Sequence, residues 1–125
     1  MPDPSKLVVL DKAHELLAGV NDVVVQIRQS HLAELKRQLI KSAVSIPSNI
    51  AEGRRRESQK EFLRFLDIAL GSTGELETQL RAAKDCRAIP LDVHADLAKR
   101  AKEVGKMVNG LRRRIIEDLG DDDAA

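Results

Sequence analysis

The residues best equipped for chemistry in this chain are cations. Arg54, Arg55 and Arg56 are consecutive, Lys60 and Arg64 follow at short steps, and Lys36, Arg37 and Lys41 precede them. From Arg28 to Arg64 nine Lys/Arg stand against four Asp/Glu, although the net charge of the whole chain is only +1. Any electrostatic function is therefore local. Gathered on one face, these side chains would neutralise several phosphates of a nucleic acid. No aromatic residue is expected close enough to stack on bases, so such binding would follow the backbone and tolerate any sequence. The other reading is a solvated turn whose arginines pair with Glu52, Glu57 and Glu61.

The remaining candidates are weaker. Arg112-Arg113-Arg114 lies near a helix end, where cations oppose the negative end of the dipole and can pair with the acidic tail. Glu75 and Glu77 are two apart, so they face different sides of a helix and do not make a catalytic dyad. A di-metal bundle site needs paired Glu-x-x-His motifs; Asp11-x-x-His14 stands alone, with His31 and His94 unsupported. Cys86 has no placed histidine and reads as a small core residue. There is no glycine-rich phosphate loop and no serine-nucleophile motif. The expectation is a protein that is not an enzyme and needs no cofactor and no metal.

The elements that must position these groups are helices. A chain of 125 residues fits one domain with a real core. Its aromatics are Phe62 and Phe65, so that core must be aliphatic, which favours helix-on-helix packing. Leu7, Ala13, Leu16, Leu17, Val20, Val23, Val24 and Ile27 mark a first helix, with Ser5 as N-cap and a β-prone last turn at Val23-Val24-Val25. Leu32, Leu35, Leu39, Ala43, Ile46 and Ile50 mark a second, capped at Ser30. Pro47 should kink it without ending it, and Gly53 should stop it. Ser58-Gln59-Lys60-Glu61 is a capping box opening a third helix along Phe62, Phe65, Leu66, Ala69, Thr73, Leu76, Leu80 and Ala83. Gly71, Ser72 and Gly74 would let a neighbouring backbone come close to it. After Pro90, a fourth helix follows Leu97, Ala101, Val104, Val108, Leu111, Ile115 and Leu119, and ends at Gly120.

The segment from Ser45 to Leu80 resembles the 23S ribosomal RNA intervening-sequence proteins, also called four-helix bundle proteins. The residues that carry the resemblance are Ser45-Ile46-Pro47, Asn49 to Gly53, Arg56, Ser58 and Lys60 to Phe62. Phe65-Leu66, Ile68-Ala69, Gly71-Ser72 and Glu75 to Leu80 complete it. The first helix departs from the family pattern: it lacks the usual aromatics and the Phe-Pro-x-x-Glu stretch, and Lys41-Ser42-Ala43 stands where Arg-Arg-Ala is usual. The resemblance implies a bundle assembled as a homopentameric ring. It is similar in fold to the accessory protein of diversity-generating retroelements, a basic pentameric barrel that binds nucleic acid and a reverse transcriptase. It implies a structural signature at Pro47, Asn49, Glu52, Gly53, Ser58, Gly71 and Glu75. Asn49 is placed to satisfy backbone groups that Pro47 disturbs.

The expected architecture is all-α: an antiparallel up-and-down four-helix bundle with a kinked second helix, one domain over residues 1–125 and a disordered acidic tail at 120–125. The expected function is RNA or DNA backbone binding by an oligomer. The alternative is a protein–protein adaptor whose contacts use Val8, Val9, Ile40 and Ile116. No stretch approaches the roughly 18 apolar residues of a membrane span. The N-terminus lacks signal-peptide features, and a single cysteine fits a reducing compartment, so a cytoplasmic location and no membrane partner are expected.

Overall fold

A computed structural model describes the backbone of residues 4–124; the side chains of residues 4, 5, 7 and 121–124 lie outside the description. Four α-helices pack against one another: α1 (Pro4–Val24), α2 (Ala33–Arg54), α3 (Gln59–Asp85) and α4 (Leu91–Ala124). No strand occurs among the described residues. Helix α2 packs on α1 and α3, and α4 packs on α3 and α1, so each helix touches two neighbours.

The apolar periodicities reach the core as expected. Ala13, Leu16, Val20, Leu39, Ala43, Ile46, Ile50, Leu66, Leu76, Leu97, Ala101 and Leu111 are all buried, and Phe62 is the one aromatic among them. Leu7 lies outside the described side chains. Val9, assigned from the sequence to a subunit contact, is instead core at 2% exposure. Ile40 is half-buried against the same core.

The helix ends differ most from expectation. Helix α1 begins at Pro4, so Ser5 is inside it, and it ends at Val24. Ile27 still enters the core, but from the turn after the helix, where Gln26 and Ile27 donate to the carbonyls of Val23 and Val24. The β-branched run favours this early end. Ser30 does not cap α2 but begins a short 3-10 turn, Ser30–Leu32, that leads into it. Pro47 sits inside α2 and the helix continues to Arg54, because the buried face continues through Ile50. Gly53 is not a left-handed stop: it is inside α2, and its missing Cβ is what lets the chain turn closely against α3. A Cβ there would lie 2.6 Å from Phe62 Cδ1 and 3.0 Å from Phe65 Cβ.

Half of the capping box forms. The Glu61 amide donates to Ser58 Oγ at 3.3 Å, whereas the Glu61 carboxylate turns forward to accept from Arg64. Helix α3 ends in a Schellman motif, with Ala88 donating to Ala83 and Arg87 to Lys84. The residue in the left-handed position is Arg87, φ 58°. Gly71 and Gly74 face open space, not a neighbouring backbone; the close approach to α3 is made by Gly105, whose Cβ would lie 3.2 Å from Thr73 Oγ1. Gly120, φ 70°, interrupts α4 as the expected stop, and the acidic tail beyond it lies outside the described side chains.

Candidate nucleic-acid interface

The α2–α3 corner collects five of the eight expected cations. Arg54 closes α2, Arg55 is its C-cap, Arg56 lies in the turn, Lys60 is in the first turn of α3, and Arg64 is one helical turn further. The glycine at position 53 lets both phenylalanines sit under this corner. The Arg56 guanidinium lies 4.9 Å from the Phe65 ring centroid and that of Arg64 lies 4.7 Å from it. Lys6, from the start of α1, places its ammonium 5.1 Å from the Phe62 centroid. The expectation that no aromatic lies near the arginines is therefore wrong: Phe65 is half-buried between two of them. A phenylalanine on the apolar stripe of α3 carries no sign in the sequence of which cations will reach its ring.

Carboxylates temper the corner without cancelling it. Glu52 accepts from both Arg55 and Arg56 at 2.7 Å, and Glu61 accepts from Arg64 at 3.0 Å. The hydrogen bond from Arg55, with the charges of Arg55 and Arg56, holds the Glu52 carboxyl below its ordinary range and raises Arg55 in turn. These are exposed pairs within one or two turns of chain, screened by solvent and readily exchanged for another anion. Glu57, expected to pair as well, makes no ion pair among the described residues, and neither do Arg54 and Lys60. A cleft of about 620 Å³ opens beside the corner between Ser48, Ala51, Glu52, Arg54 and Arg55.

The other three cations do not join this group. Lys36 donates to the Ile27 carbonyl at 3.2 Å and so closes the connection after α1. Arg37 is paired with Glu34, which it holds below the ordinary carboxylate range. Lys41 is thirteen residues before Arg54 on the same helix, about 20 Å along the axis. It lines a separate polar groove of about 700 Å³ between α2 and α3, with Gln38, Ser42, Ser45, Gly71, Ser72 and Glu75.

Of the remaining signature residues, Asn49 makes hydrogen bonds within the fold. Asn49 donates to the Ser45 carbonyl at 2.8 Å and to Ser45 Oγ at 3.1 Å, while Ser45 Oγ meets Ser72 Oγ at 2.7 Å. Asn49 thus secures the turn around Pro47 and orients the hydroxyl that bridges to α3. Glu75 is exposed and makes no ion pair among the described residues.

The segment that builds this corner and this bridge is the one on which the family resemblance rests. The family model described as 23S rRNA-intervening sequence protein matches residues 5–110. The chain belongs to this family. The match takes in α1 and most of α4, well beyond the middle segment that carries the motif. A solved protein of unknown function from Bacteroides thetaiotaomicron, of the S23 ribosomal protein family, has the same fold: TM-score 0.79 at 22% identity, over 87% of this chain and 98% of that one. No curated protein matches significantly.

Arg112 pairs with Asp67 of α3 at 2.5 Å and donates to Asn109 at 3.0 Å; the expected pairing with the tail at residues 121–123 lies outside the described side chains. Cys86 is exposed at the C-cap of α3, not in the core, because the chain leaves the helix there. Among the described residues no three His, Cys, Asp or Glu approach as a metal cluster, and no helix is long and apolar enough to cross a membrane.

Proposed function

We propose that this family member is a non-enzymatic, cytoplasmic, oligomeric bundle that holds the phosphate backbone of RNA on its α2–α3 corner. The observation that carries the reading is the concentration of Arg54, Arg55, Arg56, Lys60 and Arg64 at that corner, with Arg54 and Lys60 unpaired among the described residues. The four helices alternate in direction as an up-and-down bundle. For α2 and α3 that reading rests on the pairing of Ser45 with Ser72 and Gly53 with Phe62, and for α3 and α4 on that of Asp67 with Arg112 and Thr73 with Gly105. A homopentameric ring would repeat the corner five times around one axis and multiply its field. Lys36, Arg37 and Lys41 are not needed for this reading.

The test is fluorescence anisotropy with a single-stranded RNA over a range of salt, beside light scattering for mass. Replacing Arg54, Arg55 and Arg56 by alanine should reduce binding sharply and flatten the salt dependence by about 2 in log–log slope, at about 0.7 per lost contact. Wild-type-like binding by that variant would remove the corner from the reading.

A protein adaptor is the second reading, and one observation favours it. A groove of about 570 Å³ between α1 and α4 is lined by Val8, Val9, Met107 and Gly110, with Arg113, Arg114 and Glu117 at its charged side. Val8 is 46% exposed, and Ile116 nearby in α4 is 38% exposed. If this face is a contact between subunits, Ile116→Glu should lower the sedimentation mass to that of the monomer.

A further inference from the structure

The chain's two aromatic rings lie together under the basic corner, and every cation–π contact among the described residues is made on them. Arg56 and Arg64 come from different elements, the turn and α3, yet both guanidiniums rest on the single ring of Phe65. Each also holds one carboxylate, Glu52 or Glu61, so each planar group is restrained by a stack as well as by hydrogen bonds. Long cationic side chains on a surface otherwise lose rotamer entropy when they grip an anion. A guanidinium already stacked loses less, and its plane presents paired N–H donors that match a phosphate.

We propose that Phe65 is a positioning residue: its ring preorganises Arg56 and Arg64 as a phosphodiester-binding pair, without itself contacting a base. In this arrangement phosphate displaces Glu52 and Glu61 from the two guanidiniums, while the stacking on the ring is kept. The ligand class is a polyanionic phosphate chain, and the sugar and base contribute nothing to this contact. The proposal rests on the reading of the corner as a phosphate site.

The experiment uses the full chain with two probes, a single-stranded RNA and inorganic polyphosphate, and compares Phe65→Leu, Phe65→Tyr and the double variant Arg56→Lys/Arg64→Lys. Each variant is first checked for helical circular dichroism and assembly mass. The double variant leaves the ring and the formal charge in place, and so decides the matter even where Phe65→Leu does not fold. The expected result is an affinity loss of about fivefold for both probes in Phe65→Leu and in the double lysine variant. The salt slope should be unchanged in both, and Phe65→Tyr should bind like wild type. A loss confined to RNA in Phe65→Leu would mean that the ring stacks on bases, and would overturn the proposal. Wild-type affinity in the double lysine variant would also overturn it. If the Arg54/Arg55/Arg56→Ala variant still loses binding, the corner stands and only the role of the ring has failed. If wild type takes up neither probe, the corner itself has failed.

Discussion

Gly53→Ala should destabilise this bundle although it replaces a helix-interior glycine by the best helix former. On propensity alone the change would gain about 1 kcal/mol. The new Cβ, however, would lie 2.6 Å from Phe62 Cδ1 and 3.0 Å from Phe65 Cβ. Carbon atoms in favourable contact stand about 3.5–4.0 Å apart, so the Phe62 ring would have to retreat by about 1 Å. Phe62 is only 2% exposed, and its far side is packed core. Overpacking of such a site costs about 1–3 kcal/mol, which leaves a net loss of about 1 kcal/mol. Gly71→Ala is the internal control: it is the same substitution inside the next helix, at a site where nothing lies within 4 Å of the new Cβ. It should gain about 1 kcal/mol, so the two variants should differ by about 2 kcal/mol in opposite directions. Urea unfolding followed by helical circular dichroism, at one fixed protein concentration because assembly would add its own linkage, measures both. Equal shifts in the two variants would refute the close-approach account of Gly53 and return it to being an ordinary helical glycine.

Three further outcomes follow from particular contacts. Arg87→Gly should stabilise the protein by about 1 kcal/mol in the same urea assay, since Arg87 holds φ 58° in a Schellman position that costs a non-glycine residue about 1–2 kcal/mol. Ser45→Ala should cost about 1 kcal/mol and Ser72→Ala less, because the first strands the Ser72 hydroxyl whereas in the second Ser45 Oγ keeps its hydrogen bond from Asn49, and the double variant should cost less than the sum. Glu34 and Glu52 have carboxyls lowered from 4.5 by their arginines, so their stabilising contribution is present above that value and is lost as pH falls through the lower folded values. A thermal-melt series from pH 6 downward should show a modest decline below about 4.5, and Glu52→Gln should remove part of it.

The bundle was legible in the sequence because the apolar steps of three and four depend only on which residues face inward, and a core of Leu, Ile, Val and Ala leaves few alternatives to helix packing. Pro47 was also read correctly as an interior proline: its neighbours Ile46 and Ile50 keep the buried face running past it. The ends were less legible. Gly53 looks identical in sequence whether it ends a helix through a positive φ or admits a ring through a missing Cβ, and only the path of α3 distinguishes the two. Gly71 and Gly74 show the converse, for small residues in a helix invite a neighbour only where a neighbour runs. The site was half legible. Arg54, Arg55, Arg56, Lys60 and Arg64 are close in sequence and are joined by one turn, so proximity could be read directly. Lys36, Arg37 and Lys41 had to be placed by helix geometry, and the rise along α2 carries them away. Lys6 could not be found at all, because its place beside Phe62 depends on how α1 meets the start of α3.

The distribution of carboxylates gives the corner its character as a binding surface. Each acidic side chain that makes an ion pair there, Glu52 or Glu61, lies three or four residues from its arginine in the chain, so the pairs form locally and contribute nothing to joining one helix to another. The hydrogen bonds that join helices lie elsewhere: Asp67 with Arg112, Ser45 with Ser72, and the Arg100 guanidinium with the Glu15 carbonyl. Removing or displacing Glu52 therefore breaks no bond between helices, and Arg56, once released, keeps its place over Phe65. Glu52→Gln should bind RNA more tightly than wild type at low salt, since it removes a competing charge from Arg55 and Arg56 while leaving the fold intact. A corner built for stability would gain no affinity and would lose far more thermal stability than the modest increment carried by the lowered Glu52 carboxyl, and the same anisotropy titration beside one melting curve separates the two.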